Sequence, residues 1–169
     1  LPERARLWQE RAAEIRGAIE TRAFDPARGS FMDSFGGTDV EAGLLLMAEV
    51  GFLPRGDPRF AGTVTAIEQR LRRGPYLFRY AQADDFGLPT TAFNICTFWY
   101  IDALARVGRA AEARELLEHM LASRNHLGLL SEDIDPATGE HWGNYPQTYS
   151  LVGIVNAATR LSRGWETFT

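Results

Sequence analysis

Two kinds of helical pattern take turns along this chain, and that alternation limits the architectures open to it. Arg4–Arg22 places Leu7, Ala12, Ile15 and Ile19 on one side of a helix, with Arg and Glu filling most of the rest. That is the pattern of a helix with one face on a core. Asp39–Val50 holds the run Leu44-Leu45-Leu46-Met47 and is apolar on most sides, as a helix covered all round would be. Asp57–Arg73 returns to the charged kind, with Val64, Ile67 and Leu71 as its stripe. Asp57 suits its N-cap and Pro58 its first turn. Thr90–Val107 is apolar again, and Gly108 closes it. Arg109–Ala122 is charged, with Leu116, Leu117 and Met120 inward. Gln147–Leu161 is apolar, with Leu151, Val152, Ile154 and Val155 and almost no charge, and Gly164 onward reads as a tail. A charged and an apolar helix together take roughly 45–50 residues, a length typical of helical arrays. Short links such as Val107-Gly108-Arg109 make neighbours antiparallel. Two concentric layers satisfy all of this, with the charged helices outside and the apolar ones inside.

Composition narrows the function. The 169 residues suffice for one domain with a real core. A net charge of -4, with no basic stripe, argues against a general nucleic-acid binder. No apolar run is long enough to cross a bilayer. Cys96 is the sole cysteine, so a reducing compartment, the cytoplasm, is the expectation. His119, His126 and His141 lack metal-ligand spacing, and no glycine-rich loop has phosphate-cradling spacing. Neither a metal nor a cofactor is expected.

The least regular stretch is His126–Ser150, HLGLLSEDIDPATGEHWGNYPQTYS. It sets Glu132, Asp133 and Asp135 beside Trp142 and Tyr145. Carboxylates among aromatic rings suit sugar chemistry, in which rings grip apolar sugar faces and carboxylates move protons. A plain surface hairpin turned by Asp135-Pro136-Ala137-Thr138-Gly139 accounts for the same residues. A calcium loop does not, because Ala137, Thr138 and Asn144 fall where the fifth, sixth and twelfth positions need other residues. Gly74–Pro89 is a second irregular stretch. Both run into an apolar helix, as does the loop before Asp39, so all three gather at one rim of the inner layer. Phe98, Trp99 and Tyr100 read as core aromatics, and Cys96 as a buried packer.

Three segments, VGFLPRGDPRFAGTVTAIE, DDFGLPTTAFNICTFWYIDAL and HLGLLSEDIDPATGEHWGNYPQTYS, resemble the catalytic domain of glycoside hydrolase family 15, which holds glucoamylases, glucodextranases and bacterial trehalases. The resemblance covers nearly the whole chain. It implies an all-α fold, the C-terminal half of an (α/α)6 barrel, with residues 1–169 as one partial domain of about six helices. It also implies exo-acting, inverting hydrolysis of α-glucosidic bonds of the glucoamylase type, with trehalase as the alternative within the family. The motif Leu130-Ser131-Glu132-Asp133 makes Glu132 the general base, while the general acid belongs to a segment before this chain. Arg79, Tyr80, Phe93 and Trp142 are the implied substrate contacts. Glu41, Asp84, Asp85 and Asp133 stand behind them. The chain departs from the family at Pro89–Phe93, where many bacterial relatives have Gly-Glu-Gly-Ala-Phe, and at Glu41, where Asp is more usual.

Half a barrel leaves inner helices without their covering partners. Self-association, or docking of the missing N-terminal half, is therefore expected, together with an α-glucoside or oligosaccharide as substrate and no activity in the isolated chain. A non-catalytic helical-repeat scaffold is the rival from another class. It calls for a polar inner surface, which the Leu44–Met47 and Leu151–Val155 runs oppose.

Overall fold

The computed structural model describes residues 2–54, 56–85 and 87–162; Gly164 onward lies outside them. Helix α1 (Pro2–Arg22) leads through the hairpin β1 (Phe24–Asp25) and β2 (Ser30–Phe31) to a short 3₁₀ helix, Ala42–Met47. Helix α2 (Pro58–Leu71) runs into the hairpin β3 (Arg72–Arg73) and β4 (Tyr76–Leu77). Then come β5 (Ala92–Phe93), α3 (Asn94–Arg106), α4 (Ala110–Ala122), β6 (Asp133–Ile134), β7 (His141–Trp142) and α5 (Thr148–Ser162). The helices form two layers. The 3₁₀ helix, α3 and α5 are inner, while α1, α2 and α4 are outer. Helix α3 packs against the 3₁₀ helix, α4 and α5. The architecture is the expected partial (α/α)6 barrel.

Local chemistry sets several boundaries. Asp57 Oδ1 accepts the Arg59 N–H at 2.9 Å and caps α2. Gly108, at φ 86, takes the left-handed turn that ends α3. Gly153 sets the distance between α3 and α5, since a Cβ there would lie 2.5 Å from Phe98 Cδ2. Phe31, Leu45, Ile67, Leu71, Leu77 and Ile101 fill the space between the layers and are fully buried.

Three segments differ from expectation. The Asp39–Val50 helix shrinks to one 3₁₀ stretch. Glu41 caps it, its carboxylate accepting the Gly43 N–H at 2.9 Å, and the Ala42 N–H is drawn to Arg79 O at 2.8 Å. The segment is thereby tied to a neighbouring loop at the point where a full helix would begin. The Thr90–Val107 helix starts only at Asn94, because Ala92–Phe93 pair as a strand with Ile134 and Asp133. Helix α1 forms, but none of its residues is buried; Leu7 is 45% and Ile15 61% exposed. Its sequence identifies the apolar face, yet only Ile19 from that stripe packs on the core.

Ion pairs lace the outer layer. Arg109 donates to Glu68 Oε2 at 2.7 Å and Oε1 at 2.9 Å, and Arg72 joins Glu68 to Glu112 at 2.9 and 2.7 Å. The Arg109 guanidinium foremost, with Tyr100 and Arg72, holds the Glu68 carboxyl down from its ordinary 4.5 to about 2 against the opposing effect of burial. A carboxyl lowered by folding stabilises the fold above its unfolded value and loses that contribution as pH falls through its folded value. Glu68→Gln should therefore cost about 1–2 kcal/mol near neutral pH, with the gap to the parent chain closing between pH 4.5 and 2; urea unfolding across that range measures it. Gly153→Ala should lower stability by about 1–3 kcal/mol through overpacking against Phe98, read as a drop in Tm.

Candidate active site

Strands β5, β6 and β7 form a three-stranded antiparallel sheet over the start of α3. The register pairs Phe93 with Asp133 and Asp133 with Trp142, and pairs Ala92 with Ile134 and Ile134 with His141. Paired residues share a face of a sheet and successive residues alternate. Phe93, Asp133 and Trp142 therefore stand on one face; the buried Ala92 and Ile134 stand on the other, together with the half-buried His141. The hairpin read in the sequence at Asp135–Gly139 is real. Asp135 Oδ1 accepts the Ala137 N–H at 2.7 Å, and Asp135 O accepts the Gly139 N–H at 2.8 Å. The turn and the site occupy the same hairpin at different ends.

Glu132 is fixed through its backbone on both sides. Its carbonyl accepts the Asn94 N–H at 2.9 Å, the first residue of α3, and its own N–H donates to Asn144 O at 2.9 Å. Its carboxylate Oε2 accepts both the Asn144 N–H at 3.1 Å and the Asn144 side-chain amide at 2.8 Å. Glu132 is half-buried. Arg124, near in sequence, instead donates to Leu121 O at 2.8 Å. Asp133 Oδ2 accepts the Thr91 hydroxyl at 2.7 Å. Burial pushes the Asp133 carboxyl above the usual range; the Thr91 bond opposes this and the neighbouring Glu132 charge adds to it.

Arg79 and Glu41 meet at the start of the 3₁₀ helix, with Arg79 Nε 3.0 Å from Glu41 Oε1. That bond, ahead of the opposing burial, raises the Arg79 guanidinium. Cys96 is fully buried and its thiol is pushed up, by desolvation first and by the charges of Glu41 and Asp133, with Arg79 opposing. Tyr80 points elsewhere. Its hydroxyl donates to Asp84, which raises it, and its ring lines a surface groove with Phe78, Leu88, Pro89 and Pro136. Asp85 is exposed in the same loop. The structure therefore brings Asp133, Phe93 and Trp142 together on one sheet with Glu132 just before β6, pairs Arg79 with Glu41, and pairs Tyr80 with Asp84.

Sequence reasoning missed an aromatic group here. Tyr149, in the first turn of α5, stands edge-on to Phe93 at 6.4 Å and to Trp99 at 6.0 Å between ring centroids. Phe98 and Tyr100 are core residues as expected, but Trp99 is half-buried and lines a cleft between the 3₁₀ helix, α3 and α5. A residue just inside a helix has no sequence signal that separates a cleft position from a core position.

The described residues thus form a half-ring of paired helix layers with carboxylates, an arginine and aromatic rings near the starts of its inner helices. The sequence profile of Glycosyl hydrolases family 15 matches residues 1–159. The chain belongs to that family. It is 41% identical over 160 residues to a trehalase of Thermoplasma acidophilum, covering 94% of this chain and 27% of that protein. It is 35% identical over 165 residues to a trehalase of Mycobacterium tuberculosis, covering 96% and 24%. The chain thus spans about a quarter of the length of these curated relatives. A solved glycosidase superposes with a TM-score of 0.77 at 22% identity, over 91% of this chain and 44% of the other, a likeness of fold. No helix among the described residues is long and apolar enough to cross a membrane.

His141 ties the site hairpin to the end of α4. Its Nε2 donates to Ser123 O at 2.8 Å and its Nδ1 meets Ser131 Oγ at 2.8 Å. His141→Ala should destabilise the chain by about 1–3 kcal/mol and speed amide exchange at Glu132 and Asp135, measured by hydrogen–deuterium exchange.

Proposed function

We propose that this chain supplies the general base, Glu132, to an inverting α-glucosidase that acts on trehalose. The observation that carries the reading is the Glu132 carboxylate, held at the start of α3 by its bonds to Asn94 and Asn144. Trehalose is preferred to the glucoamylase substrates first considered because the relatives with the alignments given above are trehalases. In the reaction, Glu132 takes a proton from water while the water oxygen bonds to the anomeric carbon. The glucosidic C–O bond breaks, and its electron pair leaves with the departing oxygen, which takes a proton from a carboxylic acid. That acid belongs to the remainder of the barrel. Inversion requires the two carboxyl groups to stand about 6.5–9.5 Å apart so that the water fits between them.

Phe93 and Trp142 offer rings to the sugar faces, and Trp142 is 52% exposed, as a ring that awaits a ligand would be. Arg79 offers a planar donor fork to vicinal hydroxyls, with Glu41 orienting it. Asp133 supports the base from the adjacent position. Neither a metal nor a cofactor enters these steps.

The remainder of the barrel also covers the open apolar edges, where Trp8 and Ile15 of α1 and Val152 and Val155 of α5 are exposed. By itself the chain self-associates through those edges and does not hydrolyse glucosides. In the protein that carries the complete barrel, Glu132→Gln should reduce kcat on trehalose by about 10³-fold or more with Tm little changed. Near-normal turnover would remove Glu132 from the mechanism. Parallel assays on trehalose, maltose and isomaltose decide the substrate, and faster cleavage of maltose would return the reading to the glucoamylase type.

A further inference from the structure

We propose that Asn144 is the positioning residue of the base, and that it assigns different tasks to the two oxygens of Glu132. The inference rests on the reading of Glu132 as general base. Glu132 Oε2 receives both Asn144 donors, the backbone N–H at 3.1 Å and the side-chain amide at 2.8 Å. Glu132 Oε1 receives no hydrogen bond among the described residues. A carboxylate with two donors on one oxygen cannot rotate about its last torsion without losing both. Its other oxygen is therefore held in a fixed direction. Oε1 is the oxygen that receives the proton of the attacking water, and Oε2 is the anchor.

The backbone supports the same assignment. Glu132 and Asn144 exchange a further bond, Glu132 N–H to Asn144 O at 2.9 Å, so donors and carboxylate are fastened to the same rung of the hairpin. Gly143 lies under the side chain. A Cβ at that position would fall 2.9 Å from Glu132 Oε2 and 3.0 Å from Glu132 Cβ, and its φ of +78° lies in the left-handed region. Glycine allows the Glu132 side chain to lie across the strand and reach the Asn144 amide. The sequence Trp142-Gly143-Asn144 is thus a small device: a ring for the sugar, a gap for the carboxylate and a clamp on its rear oxygen. A base misplaced by about 1 Å loses on the order of 10²-fold in rate, which is the scale on which such a clamp acts.

The test compares Asn144→Leu, Asn144→Asp and Glu132→Gln in the protein carrying the complete barrel, assayed on trehalose. Asn144→Leu removes the amide donor and keeps the backbone N–H. Asn144→Asp keeps the size, removes the donor and sets a second negative charge against Glu132. The expected result is a kcat reduced roughly 10- to 100-fold in the Leu variant and further in the Asp variant, with KM within about threefold of the parent in both. A merely structural role predicts the opposite order, with the isosteric Asp variant milder than Leu and with Tm falling in step with activity. That order, or a kcat within threefold of the parent in both Asn144 variants while Glu132→Gln is inactive, overturns the clamp and leaves the base reading standing. Near-normal turnover in Glu132→Gln overturns the base reading, and the clamp with it.

Discussion

The burial of α3 is the constraint from which the rest of the structure follows. Nine of its thirteen residues are buried, including Ile95, Phe98, Tyr100, Ile101 and Leu104. A helix covered on nearly every side cannot end at the surface on its own terms, so its first turn must be satisfied by other segments. The Asn94 N–H goes to Glu132 O, and the Asn94 side-chain amide donates to Ser131 O at 3.0 Å. Ser131 O also accepts the Ser150 hydroxyl at 2.8 Å, which brings α5 to the same place. The segment Ser131–Glu132 therefore caps α3 and is also bonded to α5. The bonds that hold the Glu132 segment in place are thus the ones that tie α3 and α5 together.

Much of this was legible because the chemistry is local. Asp57-Pro58 announces a helix start, Gly108 a helix end and Asp135-Pro136-Ala137-Thr138-Gly139 a turn, each through neighbours along the chain. The alternation of charged and apolar helices revealed two layers for the same reason. The contacts that complete the site cross larger distances. Asn144 reaches Glu132 only once the β6–β7 register is set, and Tyr149 meets Phe93 only once α5 lies beside α3. Arg79 and Tyr80, adjacent in sequence, turn to different partners, Glu41 and Asp84, because successive side chains of an extended segment diverge. The apolar face of α1 was legible, but what covers it was not, since periodicity identifies a face and never its partner.

The two layers also differ in how they handle charge. The outer network of Glu68, Arg72, Arg109 and Glu112 staples α2 to the start of α4 from the side exposed to water. The inner set joins Glu49, after the 3₁₀ helix, to Arg106 of α3 and Arg160 of α5, with Asp102 contacting both arginines. It contains two acids and two bases, so it fixes the register of three inner elements while placing no net charge in a partly dry space. Desolvation lowers the Arg106 guanidinium and the Glu49 charge opposes that shift. Both sets hold helices in register, and neither intrudes on the site at the opposite end of α3.

That separation leaves the site's own carboxylates to be distinguished by their surroundings. Glu132 and Asp133 are neighbours in sequence and differ by one methylene, yet the sheet sends them to different partners. Glu132 meets the backbone N–H and the side-chain amide N–H of Asn144. Asp133 meets a single hydroxyl, is half-buried and lies next to the Glu132 charge, and its carboxyl is raised as a result. The division of partners between positions 132 and 133 thus gives two neighbouring acids different surroundings, set by the register of the β6–β7 hairpin and by the Thr91 loop that meets it.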